Sequence, residues 1–481
     1  MSPAALRISL LSPPCVDARQ TPTRRACEAA KYFGLDLESR SLGAIAPTAP
    51  TGRKPLLLAP GRIALLTGPS GGGKSTLLRQ MTRAARQSLY PSWRIVDPSA
   101  VSFRAGAVVD QVGRDAREAV HLLAFAGLAE ARKLVARPAA LSDGERWRLA
   151  LARAFDQSAT TARKDKLTLL VIDEFAATLD RPTARSVAAL VRRFIAQSDR
   201  IAAVVATSHD DLERALAPDV VVRTSLFAPP RIEERVLADC KQQFLRLRID
   251  QGSIADYDAL APMHYLGGRP ATWPKVLRAL APTGARGEQT LAGALVVSMP
   301  TLHGRWRALA WPGRYSLSDV QDKRAAAYRL NNELRCLSRV VVDPRFRGQG
   351  VATRLVRAYL RNPESLHTEA IAAMGRFASF FVRAGMTAYP LIASRRDLRL
   401  LDALNCTGVA PWRLAQPGSA WRRAIDGAGE AFMIRETRIW ARAAGASASL
   451  VDAPAADVFR IAARRIAFAP IAYAHAAQPA V

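Results

Sequence analysis

Eight consecutive residues, Gly68-Pro69-Ser70-Gly71-Gly72-Gly73-Lys74-Ser75, restrict what this chain can fold into more than any other stretch. The apolar run Ile63 to Leu66 precedes them, and Thr76, Leu77 and Leu78 follow. That order predicts a strand, a glycine loop and the start of a helix. Glycines let backbone N–H groups wrap phosphate oxygens with no Cβ in the way, and a helix N-terminus adds a favourable partial positive charge. Lys74 is placed to reach the β- and γ-phosphates of a nucleotide, and the Ser75 hydroxyl to sit on Mg2+. The loop reads as a nucleotide site.

Downstream residues say which kind. Lys166 to Ile172 is apolar after its first residue, apart from Thr168, and ends in Asp173-Glu174, the pattern of a buried parallel strand with carboxylates at its end. Asp173 there can hold Mg2+ through its water shell, and Glu174 can polarise a water that attacks the γ-phosphate. A second apolar run, Ile201 to Val205, leads to Thr207-Ser208-His209. Between loop and acidic strand lies Leu141-Ser142-Asp143-Gly144-Glu145, and Thr178-Leu179-Asp180 follows the strand. Ser142 and Glu145 also have the spacing of a capping box, which is compatible with an anion site at the same helix start.

Taken together, these segments resemble the ATP-binding-cassette (ABC) ATPases. The resemblance assigns Gly68 to Thr76 to ATP, Ser75 and Asp173 to Mg2+, and Glu174 and His209 to catalysis, with His209 as the γ-phosphate switch. It makes Asp180 a contact between protomers and Leu141 to Glu145 the signature, usually Leu-Ser-Gly-Gly-Gln. Gln111, 37 residues after Lys74, would sense Mg2+ and ATP, and Arg114 to Leu134 would form the helical subdomain. Ser142 and Gly144 would complete the site of the opposite protomer, so the resemblance implies a homodimer through the ATPase domains.

With 481 residues, 49% of them hydrophobic and 23% charged, two or three globular domains are expected. Five scattered cysteines (15, 27, 240, 336, 406) include no Cys-x-x-Cys pair, so neither a disulfide framework nor a zinc site is indicated, and Mg2+ is the one metal expected. No run approaches the ~18 apolar residues of a membrane span, and no leader opens the chain. A cytoplasmic setting is the expectation. The net charge of +28 is spread evenly, +13 in residues 1–250 and +15 in residues 251–481. Nucleic acid is therefore a candidate partner, although an arginine- and alanine-rich composition explains the same excess without one.

Past residue 225 the pattern changes. Pro229-Pro230 and the charged run Arg231 to Arg235 read as a linker, and Phe244 to Ile249 alternates like a half-exposed strand. The segment Val340-Val341-Val342-Asp343-Pro344-Arg345-Phe346-Arg347-Gly348-Gln349-Gly350, followed by Val351, Leu355 and Tyr359 on one helix face, is a second strand–glycine turn–helix cradle for phosphates. It is similar to the pyrophosphate loop of the GNAT N-acetyltransferases. Phe380 to Met386 resembles that family's helix-to-strand junction, and Thr368 to Ile371 the strand that splays from the Val340 strand to admit the thioester. The resemblance covers about residues 242–395. It implies acetyl-CoA bound through Val341, Val342, Arg345, Arg347, Gly348, Gln349 and Gly350. Phe381 stands where the family often has an acidic tyrosine. Glu333 and Glu369 are the candidate bases, beside proximity and backbone N–H groups as the main catalytic devices.

The expected architecture is α/β throughout: an ABC-type domain with its helical subdomain over residues 1–235, an α+β GNAT-like domain over 236–410, and a helical C-terminal extension over 411–481. The expected activity is ATP hydrolysis coupled to acetyl transfer onto an unidentified acceptor, with a macromolecule among the candidates. The alternatives are a nucleic-acid-associated mechanochemical ATPase with a non-catalytic GNAT fold, and the motor subunit of a transporter.

Overall fold

The computed structural model describes residues 6–8, 23–34, 56–88, 92–164, 166–226, 229–235, 246–264, 268–282, 288–315, 321–391, 393–443, 448–468 and 470–476. The strand expected over Leu6 to Leu11 is described only as β1 (Leu6–Ile8), which pairs antiparallel with β2 (Leu56–Leu58). The 235/236 boundary and the first residues of the run Phe244 to Ile249 lie against or inside segments outside the described residues.

Six strands build the first sheet: β3 (Ile63–Thr67), β4 (Trp93–Val96), β5 (Leu167–Ile172), β6 (Ile201–Thr207), β7 (Val220–Arg223) and β8 (Arg231–Glu234). Their spatial order is β4-β5-β6-β3-β7-β8, parallel except for the β7–β8 pair. The central strands are apolar on both faces because both faces are covered. Leu170 and Ile172 of β5 pack with Phe155 of the helix Asp143–Ala162 and Val187 and Val191 of the helix Arg181–Ala196. Leu169 and Val171 face Leu77, Leu78 and Met81 of the P-loop helix Lys74–Gln87 on the other side. The charged run Arg231 to Arg235, expected to be a linker, is instead the edge strand β8. Its backbone pairs with β7, and Arg223 bridges to Glu233 across the pair at 3.1 Å.

The second sheet has seven strands: β9 (Arg248–Gln251), β10 (Lys275–Pro282), β11 (Gln289–Ser298), β12 (Leu334–Val342), β13 (His367–Ala372), β14 (Thr387–Pro390) and β15 (Ile471–Ala476). They run in the order β14-β15-β13-β12-β11-β10-β9. Leu295 and Val297 of β11 pack toward the helix Val351–Arg361, while Ala294 and Val296 face Tyr257 and Leu260 on the opposite side. β12 and β13 are parallel, but they pair only from Leu334↔His367 to Cys336↔Glu369. Beyond that point they fork, and a bulge at Ser338 marks the same place in the ladder with β11.

The chain does not end in a helical extension over 411–481. Helices between Arg395 and Ala467 form a unit with its own core (Leu404, Met433, Trp440, Phe459), and the chain then returns as β15 between β13 and β14. The helical unit is thus an insertion within the sheet. Among the described residues no helix is long and apolar enough to cross a membrane.

Candidate functional sites

The carboxyl ends of three adjacent strands, β5, β6 and β3, lie level. Thr67 is in register with Thr207, and Ile172 with Val205. Residues that follow these ends therefore share one edge of the sheet: the glycine loop after β3, Asp173 and Glu174 after β5, and Ser208 and His209 after β6. With strands ~4.8 Å apart, the outer two ends are ~10 Å from each other, a gap that a triphosphate and its metal can bridge.

The glycines of the loop are needed where the chain is tightest. Gly68 has a φ of +140°, and a Cβ there would collide with the backbone and hydroxyl of Thr224. One at Gly72 would come within 3.0 Å of Pro69 O and of the same Thr224 hydroxyl. Thr224 is itself buried and bonded to Thr67 O through both its N–H, at 2.7 Å, and its hydroxyl. Gly73, left-handed at φ 86°, starts the P-loop helix without a side-chain cap, so the first N–H groups of that helix are open to an anion. Lys74 Nζ donates to the carbonyls of Gly68 and Pro69 at 2.8 and 2.7 Å, folding its charge over the loop. Ser75 is exposed beside it, and Pro69, Ser70, Gly71 and Thr76 complete the cradle.

Asp173 Oδ1 accepts from the Glu174 N–H at 2.9 Å, which leaves Oδ2 for a ligand. Glu174 and Ala176 hold left-handed backbone at φ 47° and 59°. For residues with a Cβ that conformation costs roughly 1–3 kcal/mol each, and it is sustained by the bond from Phe175 N–H to Ala206 O at 2.8 Å. Glu174 itself is exposed, two residues past the end of β5. Ser75 and Asp173 supply oxygen donors, as Mg2+ prefers, and a nucleotide's phosphates would complete the octahedron. Among the described residues no three His, Cys, Asp or Glu side chains converge on a metal position without such help. His209 follows β6, half-buried, with its N–H on the Thr207 hydroxyl at 3.2 Å.

Ser142 caps the helix Asp143–Ala162 in a reciprocal capping box with Glu145, whose carboxylate also meets Lys133 at 3.1 Å. Gly144 is pressed under the contact loop: a Cβ would stand 2.9 Å from Leu179 Cδ2 and 3.2 Å from Thr178 O. Asp180 caps the next helix by accepting from Thr183 N–H at 3.0 Å. The signature segment and the contact loop thus pack on each other within one chain.

Gln111 is a correction. It is buried, its Oε1 accepts from Arg104 N–H at 2.8 Å, and its Nε2 donates to the carbonyls of Arg104 and Ala107 at 3.0 and 3.2 Å. Both ends of the amide are spent on the 104–107 loop, so it is a structural pin, not a metal or ATP ligand. The sequence reading passed over Asp97, which ends β4 as Asp173 ends β5. Both line a cleft of about 260 Å3 with Phe103, Asp143, Arg146 and Trp147. The signal was present, a carboxylate directly after the mostly apolar run Trp93 to Val96.

The second cradle lies where β12 gives way to the helix Val351–Arg361. Val341 is buried in β12 beside the half-buried Val342. Gly348 and Gly350 are left-handed at φ 76° and 81°, and Gly350 starts the helix without a side-chain cap. Among the described residues nothing accepts from the backbone N–H groups of Gly348, Gln349 or Gly350. The two flanking arginines do not point at a ligand. Arg345 is paired bidentately with the buried Asp343, its Nη2 at 2.6 Å, and Arg347 donates to the carbonyls of Val342, Ala129 and Met263. Burial lowers the Arg347 pKa from its usual value. Any anion held here would be bound by peptide N–H groups and the helix terminus.

At the fork, Glu369 is fully buried and accepts two bonds from Arg307, at 2.8 and 2.7 Å. A carboxylate so committed is no base toward an acceptor, which corrects that expectation. Glu333 accepts from Arg314 Nε at 2.9 Å, which lowers its pKa, and from Tyr315 OH, which meets His367 Nδ1 at 2.6 Å. Phe381 is buried with its ring 4.8 Å from that of Tyr473. Burial, with Arg339 and Arg347 nearby, pushes the His264 pKa down to about 4.

Solved structures with local likeness include a dimeric ATP-binding cassette in a post-hydrolysis state with ADP and phosphate. It is 18% identical, over 40% of this chain and 93% of that one, with a TM-score of 0.29. CbiO1 from Clostridium perfringens, part of the cbiONQ transporter complex, is 18% identical over 41% of this chain and 84% of that one, with a TM-score of 0.28. A bacterial Atm1-family exporter with ATP bound is 18% identical over 39% of this chain and 37% of that one, with a TM-score of 0.29. No curated protein matches the chain. Residues 56–205 match the family described as AAA ATPase domain, a span that takes in the glycine loop, the signature segment and the acidic strand, so this part of the chain is an ATPase domain.

Proposed function

We propose that this protein hydrolyses ATP in ABC fashion and transfers an acetyl group from acetyl-CoA with its second unit. ATP sits on Gly68 to Thr76, with Mg2+ between Ser75, Asp173 and the phosphates. Glu174 orients the attacking water, and His209 contacts the γ-phosphate. Ser142, Gly144 and Asp180 serve the site of a second copy, so the active form is a homodimer.

In the second unit the coenzyme's diphosphate lies on the N–H groups of Gly348 to Gly350, and its pantetheine enters the fork between β12 and β13. One observation carries this half: the fork opens at Cys336↔Glu369, beside the Ser338 bulge, on the strand that ends in the glycine turn. On the open edge of β12 the backbone N–H groups have no ladder partner among the described strands and are placed to polarise a thioester carbonyl. Glu333, linked to Tyr315 and His367, is the remaining candidate to accept a proton from the amine. Acetyl-CoA binding to the full chain, measured by calorimetry, tests this half; no binding refutes it.

A second reading has its own support. The inserted helical unit displays Arg422 and Arg423 on its surface, and Arg413 lies over the exposed Trp412 ring at 4.4 Å. Stacked and cationic groups suit nucleic acid. ATP hydrolysis stimulated by DNA or RNA, in a protein that binds no acetyl-CoA, would favour this reading.

A further inference from the structure

The helix Arg181–Ala196 belongs to the nucleotide unit, yet three of its side chains bear on the glycine turn of the other. The Ser186 hydroxyl donates to the Arg345 carbonyl and accepts from the Gln349 side-chain amide. Leu190 lies so close to Gly348 that a Cβ there would strike it. Arg193 Nη1 donates to the Gly348 carbonyl at 3.2 Å. Positions 186, 190 and 193 share one face of a helix, so the contact is a docked surface.

Two of these bonds engage the turn's backbone, both through carbonyls. In a trans peptide the C=O and the following N–H point opposite ways. Holding the Gly348 carbonyl toward Arg193 therefore turns the Gln349 N–H away from the helix, to the side where no acceptor among the described residues meets it. Peptides flanked by glycine flip at low cost, and an external clamp is what keeps such a turn in one conformation.

The other end of the same helix is tied to the nucleotide site. Asp180 of the contact loop caps it, six residues after the strained Glu174. Arg181 and Arg185 both pair with Asp211, two residues after His209. A shift at either the acidic strand or the His209 strand is thus transmitted to the helix that clamps the turn.

We propose that the helix Arg181–Ala196 braces the coenzyme-phosphate turn, with Ser186 and Arg193 as positioning residues, and couples nucleotide state to acyl-CoA affinity. The proposal rests on the acyl-CoA reading of that turn. Linkage makes the coupling reciprocal: the factor by which ATP changes acetyl-CoA affinity is the factor by which acetyl-CoA changes ATP affinity.

The test is calorimetry of acetyl-CoA on full-length Glu174→Gln protein, with and without Mg2+ and ATP. The expected ratio of the two Kd values is about fivefold or more, in either direction, with the same ratio for ATP when acetyl-CoA is the fixed ligand. Adding Arg193→Ala weakens acetyl-CoA about five- to tenfold without nucleotide and brings the ratio toward unity. Arg193→Lys, which can donate to the same carbonyl, restores part of both, and Ser186→Ala repeats the effect in milder form. None of these variants changes ATP affinity in the absence of coenzyme. Acetyl-CoA bound equally well in every state and variant overturns the brace and leaves the acyl-CoA reading standing. Acetyl-CoA bound in no state overturns both.

Discussion

Glu369 distinguishes a structural carboxylate from a catalytic one. It and Arg307 are both almost fully buried, with side-chain exposures of 1% and 2%, and share two bonds below 3 Å. Glu369→Leu leaves the Arg307 charge buried without its partner, a loss of about 3–5 kcal/mol. In a domain of this size each kcal/mol is worth about 2–4 °C, so the second unit should melt about 6–20 °C lower. Trp306 and Trp311 flank Arg307 and are themselves buried, so tryptophan fluorescence follows this unit once Trp93 and Trp147 of the first unit are replaced by Phe. Replacing both partners, Arg307→Met with Glu369→Leu, should recover most of the loss, because a shape-matched apolar pair removes the stranded charge along with its partner. A melting point unchanged by Glu369→Leu, with acetyl transfer abolished, would refute the structural assignment and restore Glu369 as a base.

Further predictions follow the same sites. Glu174→Gln should hold ATP with unchanged affinity while steady-state hydrolysis collapses; undiminished turnover would contradict the role given to that carboxylate. Gly144→Asp should abolish hydrolysis, since even a Cβ meets Leu179 and Thr178, and wild-type activity per chain should fall on dilution as the homodimer separates. Gln111→Ala should lower stability by about 1–3 kcal/mol through the 104–107 loop and leave Mg2+-dependent ATP binding intact, as read by denaturant titration and calorimetry. Arg114 and Arg163 hold Glu118 down to a pKa of about 2. A carboxylate depressed in the folded state gives stability that is full above its ordinary value near 4.5 and is lost as pH falls toward 2. Arg163→Ala should therefore flatten the acid limb of the stability curve over that window.

The candidate nucleotide site was legible because its chemistry is local. Gly68 to Ser75 and the Asp173-Glu174 pair sit within continuous strand–loop patterns, and strand ends in a parallel sheet meet at one edge. The orientation of a side chain is not local, which is why Gln111 was misassigned: its spacing from Lys74 says nothing about where the amide points. The same holds for Glu369, whose partner Arg307 is 62 residues away. β15 was missed for a different reason. Ile471 to Ala476 is a short strand that gains its place between β13 and β14, about eighty to a hundred residues earlier, and no neighbouring turn announces either pairing. β8, with a single apolar residue among charges, has the composition of a loop and is a strand only because β7 offers it an edge.

Binding of both ligands to one purified chain tests the central claim most directly. Calorimetry should show one ATP and one acetyl-CoA per chain, bound together. Lys74→Ala should remove ATP and spare acetyl-CoA, and Gly350→Asp should remove acetyl-CoA and spare ATP. Displacement of one ligand by the other, or no acetyl-CoA bound to a protein that binds ATP, would contradict the claim that this polypeptide carries two separate glycine-lined anion sites.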